Sequence, residues 1–410
     1  MSGVTDALLA IAAAAGGGRV DDALSRLEQL RERHLAAARA LAPNEANGPL
    51  GGQITAQFDD LAALVRALGV LREVSARTLD VVAAAGELLS SRIVAAALNG
   101  ADIPSEWVDA RRAIITTNDH TRAVPLAAET EAALRSSVLP VIEAGRVPVL
   151  GGFVGSTVGG HTTTLGRGGS DYSGAIVGAG IGASEIQIWT DVDGMLTADP
   201  RVIAAPRLVP QLSFAEAAEL AYFGAKVLHP STILPAVAKN IPVRILNSRR
   251  PENTGTLITA EANHAGGRLT ALACKRDVTV IDITSTRMLM AHGFLRRLFE
   301  VFERFKTAVD VVTTSEVSVS VTVDDTRRLE AILDNLHNFA EASCEREMAI
   351  ICAVGENLRA DSTLFSRAVT SLERIPLRLV SQAGPRRNVT FVLRDADVPH
   401  AMMRLHETFF

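Results

Sequence analysis

The chain has 410 residues, 48% of them hydrophobic and 21% charged, more than one core supports and enough for two to four domains of ~100 to 200 residues. Lys and Arg number 41 against 46 Asp and Glu, a formal net charge of -5, so no broad basic field is present to hold nucleic acid or an anionic membrane. The three cysteines, Cys274, Cys344 and Cys352, have no C-x-x-C spacing, which argues against a disulfide framework and a zinc site and fits a reducing cytoplasm.

The apolar stretch Ala7 to Ala15 follows Asp6 and no basic residue, the wrong charge pattern for a secretion signal, and no other apolar run reaches the ~18 residues that span a bilayer. From Thr5 to about Leu98 the apolar residues recur at helical spacing, as in Leu61, Leu64, Val65, Leu68 and Leu71. Between Ile114 and Ile258 the pattern becomes short strands, Val147 to Leu150, Ile186 to Trp189 and Val243 to Leu246, separated by helical stretches. That alternation predicts an α/β domain with an open, largely parallel sheet between helices. A Gly-, Ala- and polar-rich segment, Thr259 to Arg268, marks a boundary. Beyond it come a strand Val278 to Ile283, a helix Gly293 to Phe305, strands Val309 to Thr314 and Val317 to Val323, and a helix Arg327 to Asn338. The order repeats with Ala349 to Val354, a helix Ser362 to Glu373, strands Leu377 to Ser381 and Val389 to Leu393, and a helix Ala396 to Phe409. Two such α+β units predict tandem ferredoxin-like modules. The expected domains are residues 1–262, 263–345 and 346–410.

The most informative string is Thr162 to Ser173, T-T-T-L-G-R-G-G-S-D-Y-S, a Thr/Gly-rich turn opening an apolar helix. Such a turn presents backbone N–H groups at a helix N-terminus, where the dipole favours an anion. Arg167 offers a bidentate grip for a carboxylate and Asp171 can organise a cation. The glycines alone read as a solvated turn with Ser170 or Asp171 as helix cap, but the full string is far more specific than its glycines. The run G-A-G-I-G at Gly178 to Gly182 ends this helical segment instead of opening one, so it reads as close helix packing and not as a dinucleotide fingerprint. Downstream, W-T-D-V-D-G-M-L-T-A-D-P-R (Trp189 to Arg201) places Thr190 and Asp191 at the end of a strand, where open α/β sheets bind ligands. Arg201, and Lys226 in F-G-A-K-V-L-H-P (Phe223 to Pro230), supply cations for phosphates.

These strings, together with M-S-G-V-T-D at the start, G-E-L-L-S-S at Gly86 to Ser91 and V-T-T-S-E-V-S at Val312 to Ser318, resemble the aspartate kinases in the family's own order. The resemblance implies an amino-acid-kinase fold followed by two ACT modules, the second inserted in the first, so that the last residues are expected to complete the first. It implies ATP with Mg2+ as cofactor and transfer of the γ-phosphate to the side-chain carboxylate of L-aspartate. Thr5, Glu87, Arg167, Gly168, Gly169 and Ser170 match the aspartate site, and Asp171, Arg167 and Lys226 the catalytic positions. Thr190, Asp191, Leu196, Arg201, Lys226 and Val227 match positions around ATP, Leu196 standing where many relatives carry an aromatic residue. No protein metal site is implied.

Met288 to Leu295, M-L-M-A-H-G-F-L, resembles the effector loop of the lysine-sensitive type. That assigns Met288, Ala291, Phe294, Leu295 and Asp310 to an amino-acid effector, lysine first, in a cytoplasmic homo-oligomer assembled through the ACT modules. The family's opening K-F-G-G-T-S segment does not occur in the chain, and roughly 40 further residues are expected upstream by ordinary element lengths. Its absence keeps a second reading open, a catalytically impaired regulatory subunit.

Overall fold

The computed structural model of the chain describes every residue except Arg167 and residues 225–232, 263–267, 286–291, 359–360, 362 and 383–386. It divides into two compact units, residues 1–188 with 231–243, and residues 189–230 with 244–410.

The first unit opens with helices α1 (Val4–Gly16), α2 (Val20–Leu41), α3 (Pro43–Ala46), α4 (Pro49–Leu71) and α5 (Ala76–Gly100). Pro43 and Pro49 start α3 and α4, where a missing N–H costs nothing. Ser75 caps α5 by accepting the Thr78 N–H. Leu8 and Ile11, then Leu27 and Leu30, then Ile54, Phe58, Leu61 and Val65, then Leu89 and Ile93 recur every three or four residues and close on one core. Asp21, Arg26, Glu28, Glu32, Arg33 and Arg39 of α2 are exposed, while Arg31 reaches Asp59 of α4 at 2.7 Å. By length and composition α5 could cross a bilayer, but most of its apolar residues pack against protein, Val82, Leu89 and Ile93 in the helical core and Ala84 and Leu88 with Val154, while Val81 and Val94 are exposed.

Next come β1 (Ser105–Trp107), β2 (Ile115–Thr116), α6 (Ala127–Ser137), α7 (Leu139–Glu143), β3 (Val147–Val149), β4 (Val154–Thr157), β5 (Thr162–Thr164), α8 (Gly169–Ile181) and β6 (Ile186–Thr190). The pairs β1·β3 and β2·β4 are parallel, and β5 returns antiparallel beside β4. Gly178 and Gly180 let Ile186 and Leu134 lie against α8 where any side chain would collide, the close packing expected of that run. Then follow β7 (Gln211–Ser213), α9 (Phe214–Tyr222), α10 (Leu234–Lys239), β8 (Val243–Asn247) and β9 (Thr256–Thr259), with strand order β6-β8-β9-β7.

The rest of the second unit is β10 (Arg268–Thr284), α11 (Phe294–Arg304), β11 (Val312–Thr314), β12 (Ser318–Val323), α12 (Leu329–His337), β13 (Glu341–Glu356), α13 (Leu364–Ser371), β14 (Leu377–Gln382), β15 (Asn388–Arg394) and α14 (Val398–Phe409). One antiparallel sheet runs β11-β12-β10-β13-β15-β14. Its two central strands are long, 17 and 16 residues, and each serves two cores. Ile281 and Ile283 of β10 pack with Leu298, Val321 and Ile332. Leu269 and Leu272 of the same strand pack with Ile351, Phe391 and Met402. The changeover is marked by Asp277 and Glu347, both at φ 58°, and by a register shift between Lys275 and Val278.

The tandem ferredoxin-like pattern is therefore present with a different closure. Residues 268–275 pair with β13 from Glu356 to Ile350 and supply the fourth strand of the second module. The C-terminal helix α14 lies in that second core through Val398, Met402 and Leu405, not in the first.

Candidate active site

The T-T-T-L-G-R-G-G-S-D-Y-S string becomes β5, a turn, and the first turn of α8. Gly166 and Gly168 adopt φ 76° and 72°, the left-handed conformation that glycine takes without a Cβ clash. The turn delivers the N-terminus of α8 to a cavity of about 220 Å³ lined by Thr5, Glu87, Phe153, Gly166, Gly168, Gly169, Ser170 and Asp171. Three segments distant in sequence thus bring together every described residue assigned to the aspartate site. Arg167 lies outside the described residues.

Two acids meet a helix N-terminus there. Burial pushes the Glu87 carboxyl up. Burial also raises Asp171. Both ionised groups are short of water, so a cation brought by a ligand is favoured, while the exposed N–H groups of α8 favour an anion. A zwitterionic amino acid carries both.

Phe153 was missed by sequence reasoning. It stands at φ 69°, a rare conformation for an aromatic residue. Its N–H donates to Ser173 Oγ at 2.8 Å, and that hydroxyl donates to the Gly169 carbonyl at 2.8 Å. The available signal was Gly151 and Gly152 immediately before it.

A second cavity, about 340 Å³, lies beside the end of β6. Leu196, Leu220, Leu272 and Ala273 form its apolar side, and Thr190, Asp191 and Arg201 its polar rim. Cys274 also lines it, its thiol pushed by burial up to about 12. The loop after β6 is held by Asp193, which accepts Asn247 Nδ2 at 2.7 Å and Asn253 Nδ2 at 3.0 Å and pairs with Arg250 at 2.7 Å. Asp193 was also missed. Arg201 is engaged by Asp199, Nε to Oδ1 at 3.0 Å; a phosphate would share that guanidinium. Lys226 and Val227 lie outside the described residues. A larger opening of about 540 Å³, between Arg135, Gly182 and Lys239, contains none of the motif residues.

Of the effector residues, Met288 and Ala291 lie outside the described residues, and Phe294 and Leu295 open α11. Asp310 is already engaged. Its side chain, 2% exposed, accepts Lys275 Nζ at 2.9 and 2.8 Å and the Tyr222 hydroxyl at 2.8 Å. Burial and this bond push the Tyr222 phenol up to about 12.

Residues 8–247 match the amino acid kinase family. Aspartokinase 3, chloroplastic, of Arabidopsis thaliana is 36% identical over 402 residues, covering 95% of this chain and 71% of that protein. Lysine-sensitive aspartokinase 3 of Escherichia coli is 32% identical over 418 residues, covering 100% of this chain and 91% of that one. The crystal structure of Escherichia coli aspartokinase III in complex with aspartate and ADP superposes with a TM-score of 0.83 at 32% identity, over 100% of this chain and 91% of that chain. The corresponding complex with lysine and aspartate gives 0.79 at the same identity and coverage. The clustering of the motif residues around one cavity agrees with these likenesses, and the chain belongs to the amino acid kinase family and, within it, to the aspartokinases.

Proposed function

We propose that the cavity at the start of α8 binds L-aspartate, that the cavity beside Thr190 and Asp191 binds ATP, and that the γ-phosphate passes to the aspartate side-chain carboxylate. The observation that carries this reading is the convergence of Thr5, Glu87 and Gly168 to Asp171 on one cavity. The attacking carboxylate is ionised at neutral pH, its unperturbed pKa being about 3.9, so no strong base is required. Alignment and charge neutralisation suffice. Glu87 takes the substrate ammonium and Arg167 its α-carboxylate, leaving the side-chain carboxylate to the phosphate. The N–H groups at the start of α8 and Lys226 offset charge that builds on the transferring oxygens.

Mg2+ fits the donor set, since Asp171 is half-buried with no hydrogen-bond or ion-pair partner among the described residues, and a magnesium nucleotide takes one or two carboxylates. When bound it neutralises phosphate charge.

The test is ATP-dependent acyl phosphate formation trapped with hydroxylamine. Asp171→Ala should abolish the product with the melting temperature retained; near-normal turnover would remove Asp171 from the mechanism. Arg167→Ala should weaken aspartate binding by about 1.5 to 3 kcal/mol, the worth of a hydrogen bond to a charged group, and leave ATP binding unchanged.

The reading extends to regulation. The ACT-type modules bind free lysine, whose ammonium exchanges with Lys275 at Asp310, and they pair copies of the chain into a homo-oligomer. The Escherichia coli relative solved with lysine supports this choice. Millimolar lysine should raise the melting temperature by preferring the native state, and Asp310→Ala should remove the response. A chain that responds to threonine and not to lysine would have the other effector.

A further inference from the structure

Asp80 lies on α5 seven residues ahead of Glu87, so the two acids share one face of the helix. Its side chain is fully buried, where a carboxylate persists only if donors surround it. His120 Nδ1 donates at 2.6 Å, the Thr121 N–H lies 3.0 and 3.1 Å from the two oxygens, and the Thr164 hydroxyl donates at 2.5 Å. All three residues lie in loop or strand segments away from α5.

Both segments carry the glycine turn. Thr121 is β-branched yet held at φ 72°, a strained conformation that persists only where neighbours enforce it. Its carbonyl lies 3.3 Å from the point a Cβ on Gly166 would occupy, and Arg122 Cα lies 3.6 Å from it. Thr164 ends β5 directly before the turn, and its carbonyl accepts the Ala123 N–H at 2.9 Å. The turn from Leu165 to Gly168 therefore rests on two strands of chain, and Asp80 grips each.

We infer that Asp80 is a positioning residue for the substrate turn: it ties the turn to the helix that carries Glu87 and so sets the spacing between the ammonium-binding carboxylate and the N-terminus of α8. This rests on reading the α8 cavity as the aspartate site.

Kinetics of Asp80→Asn, Thr164→Val, Thr164→Ser and Glu87→Gln test both. Thr164→Val removes one donor while His120 and Thr121 still hold the carboxylate, so it reports even if Asp80→Asn does not fold. Asp80→Asn and Thr164→Val should raise the KM for aspartate about tenfold, the scale of one charge-assisted hydrogen bond, with the KM for ATP unchanged. Thr164→Ser, which restores the hydroxyl, should return the aspartate KM toward its original value. If Glu87→Gln leaves that KM unchanged, the cavity itself is misassigned. If Glu87→Gln raises it while Thr164→Val lowers only the melting temperature, Asp80 serves the fold alone and the inference falls.

Discussion

Glu87 is placed so that one residue would oppose stability while serving the proposed binding role. Burial raises its pKa, so the folded state disfavours its ionised form. The resulting cost is absent below the pKa of the unfolded chain and fully present above the folded one. Glu87→Gln should therefore raise the melting temperature, by more at about pH 7 than at about pH 4, and raise the KM for aspartate at the same time. Differential scanning calorimetry at both pH values checks the first half, steady-state kinetics the second. A variant that melts lower than the parent at neutral pH would show that Glu87 has a stabilising partner. The residues of this site were legible where one turn carries them, as in Gly168 to Asp171, because local spacing places them together. Phe153 and Asp80 were not. Asp80 and Thr164 are 84 residues apart, and nothing local in either segment announces the other.

At the scale of elements, α9 is anchored at several points along its length. Ser213 and Glu216 form a reciprocal capping box, and Glu216 also accepts the Thr270 hydroxyl from β10 at 2.5 Å. Asn388 of β15 donates to Glu219 at 2.7 Å, and Tyr222 reaches Asp310. The helix leading into the Lys226 segment is thus bonded to the regulatory sheet along its length. Lys275 bridges Asp310 and Asp324, the latter at 2.7 Å. Lys275→Met should destabilise the protein by about 3 kcal/mol, as expected when a buried acid loses its cation, and free lysine should then restore more stability than it adds to the parent. Urea melts with and without lysine measure both; a variant indifferent to lysine would place the effector elsewhere. The first half of β10 escaped sequence reasoning for a physical reason. Residues 269–273 are buried on both faces, so the period-2 alternation that betrays a half-exposed strand is missing.

Across the whole molecule, the change of rhythm near residue 262 and the repeated β-α-β-β-α order were enough to foresee an α/β part followed by a ferredoxin-like tandem. The closure was not, because antiparallel partners of a sheet can come from either end of the chain and only pairing decides. Its effect on stability is direct. A fragment beginning at residue 261 should melt cooperatively, whereas one beginning at residue 278 loses the strand that pairs with residues 350–356 and strips Leu269 and Leu272 from the second core. Large-to-small losses in a core cost about 2 to 5 kcal/mol per leucine, so that fragment should bind a hydrophobic dye and show an exchanging second module by NMR. Equal melting of the two fragments would mean that the second core holds without β10.

The two long strands have a further consequence, for inheritance. Lys275 of β10 lies opposite Ile350 of β13, and the first core is built from residues between them, so that module is one insertion whose two ends meet. The second core draws on both sides of it, Leu269 and Leu272 before and Ile351, Phe391 and Met402 after. Recombination could exchange the inserted module alone by joining the chain at that pair, whereas the split second module could be exchanged only with the first carried inside it.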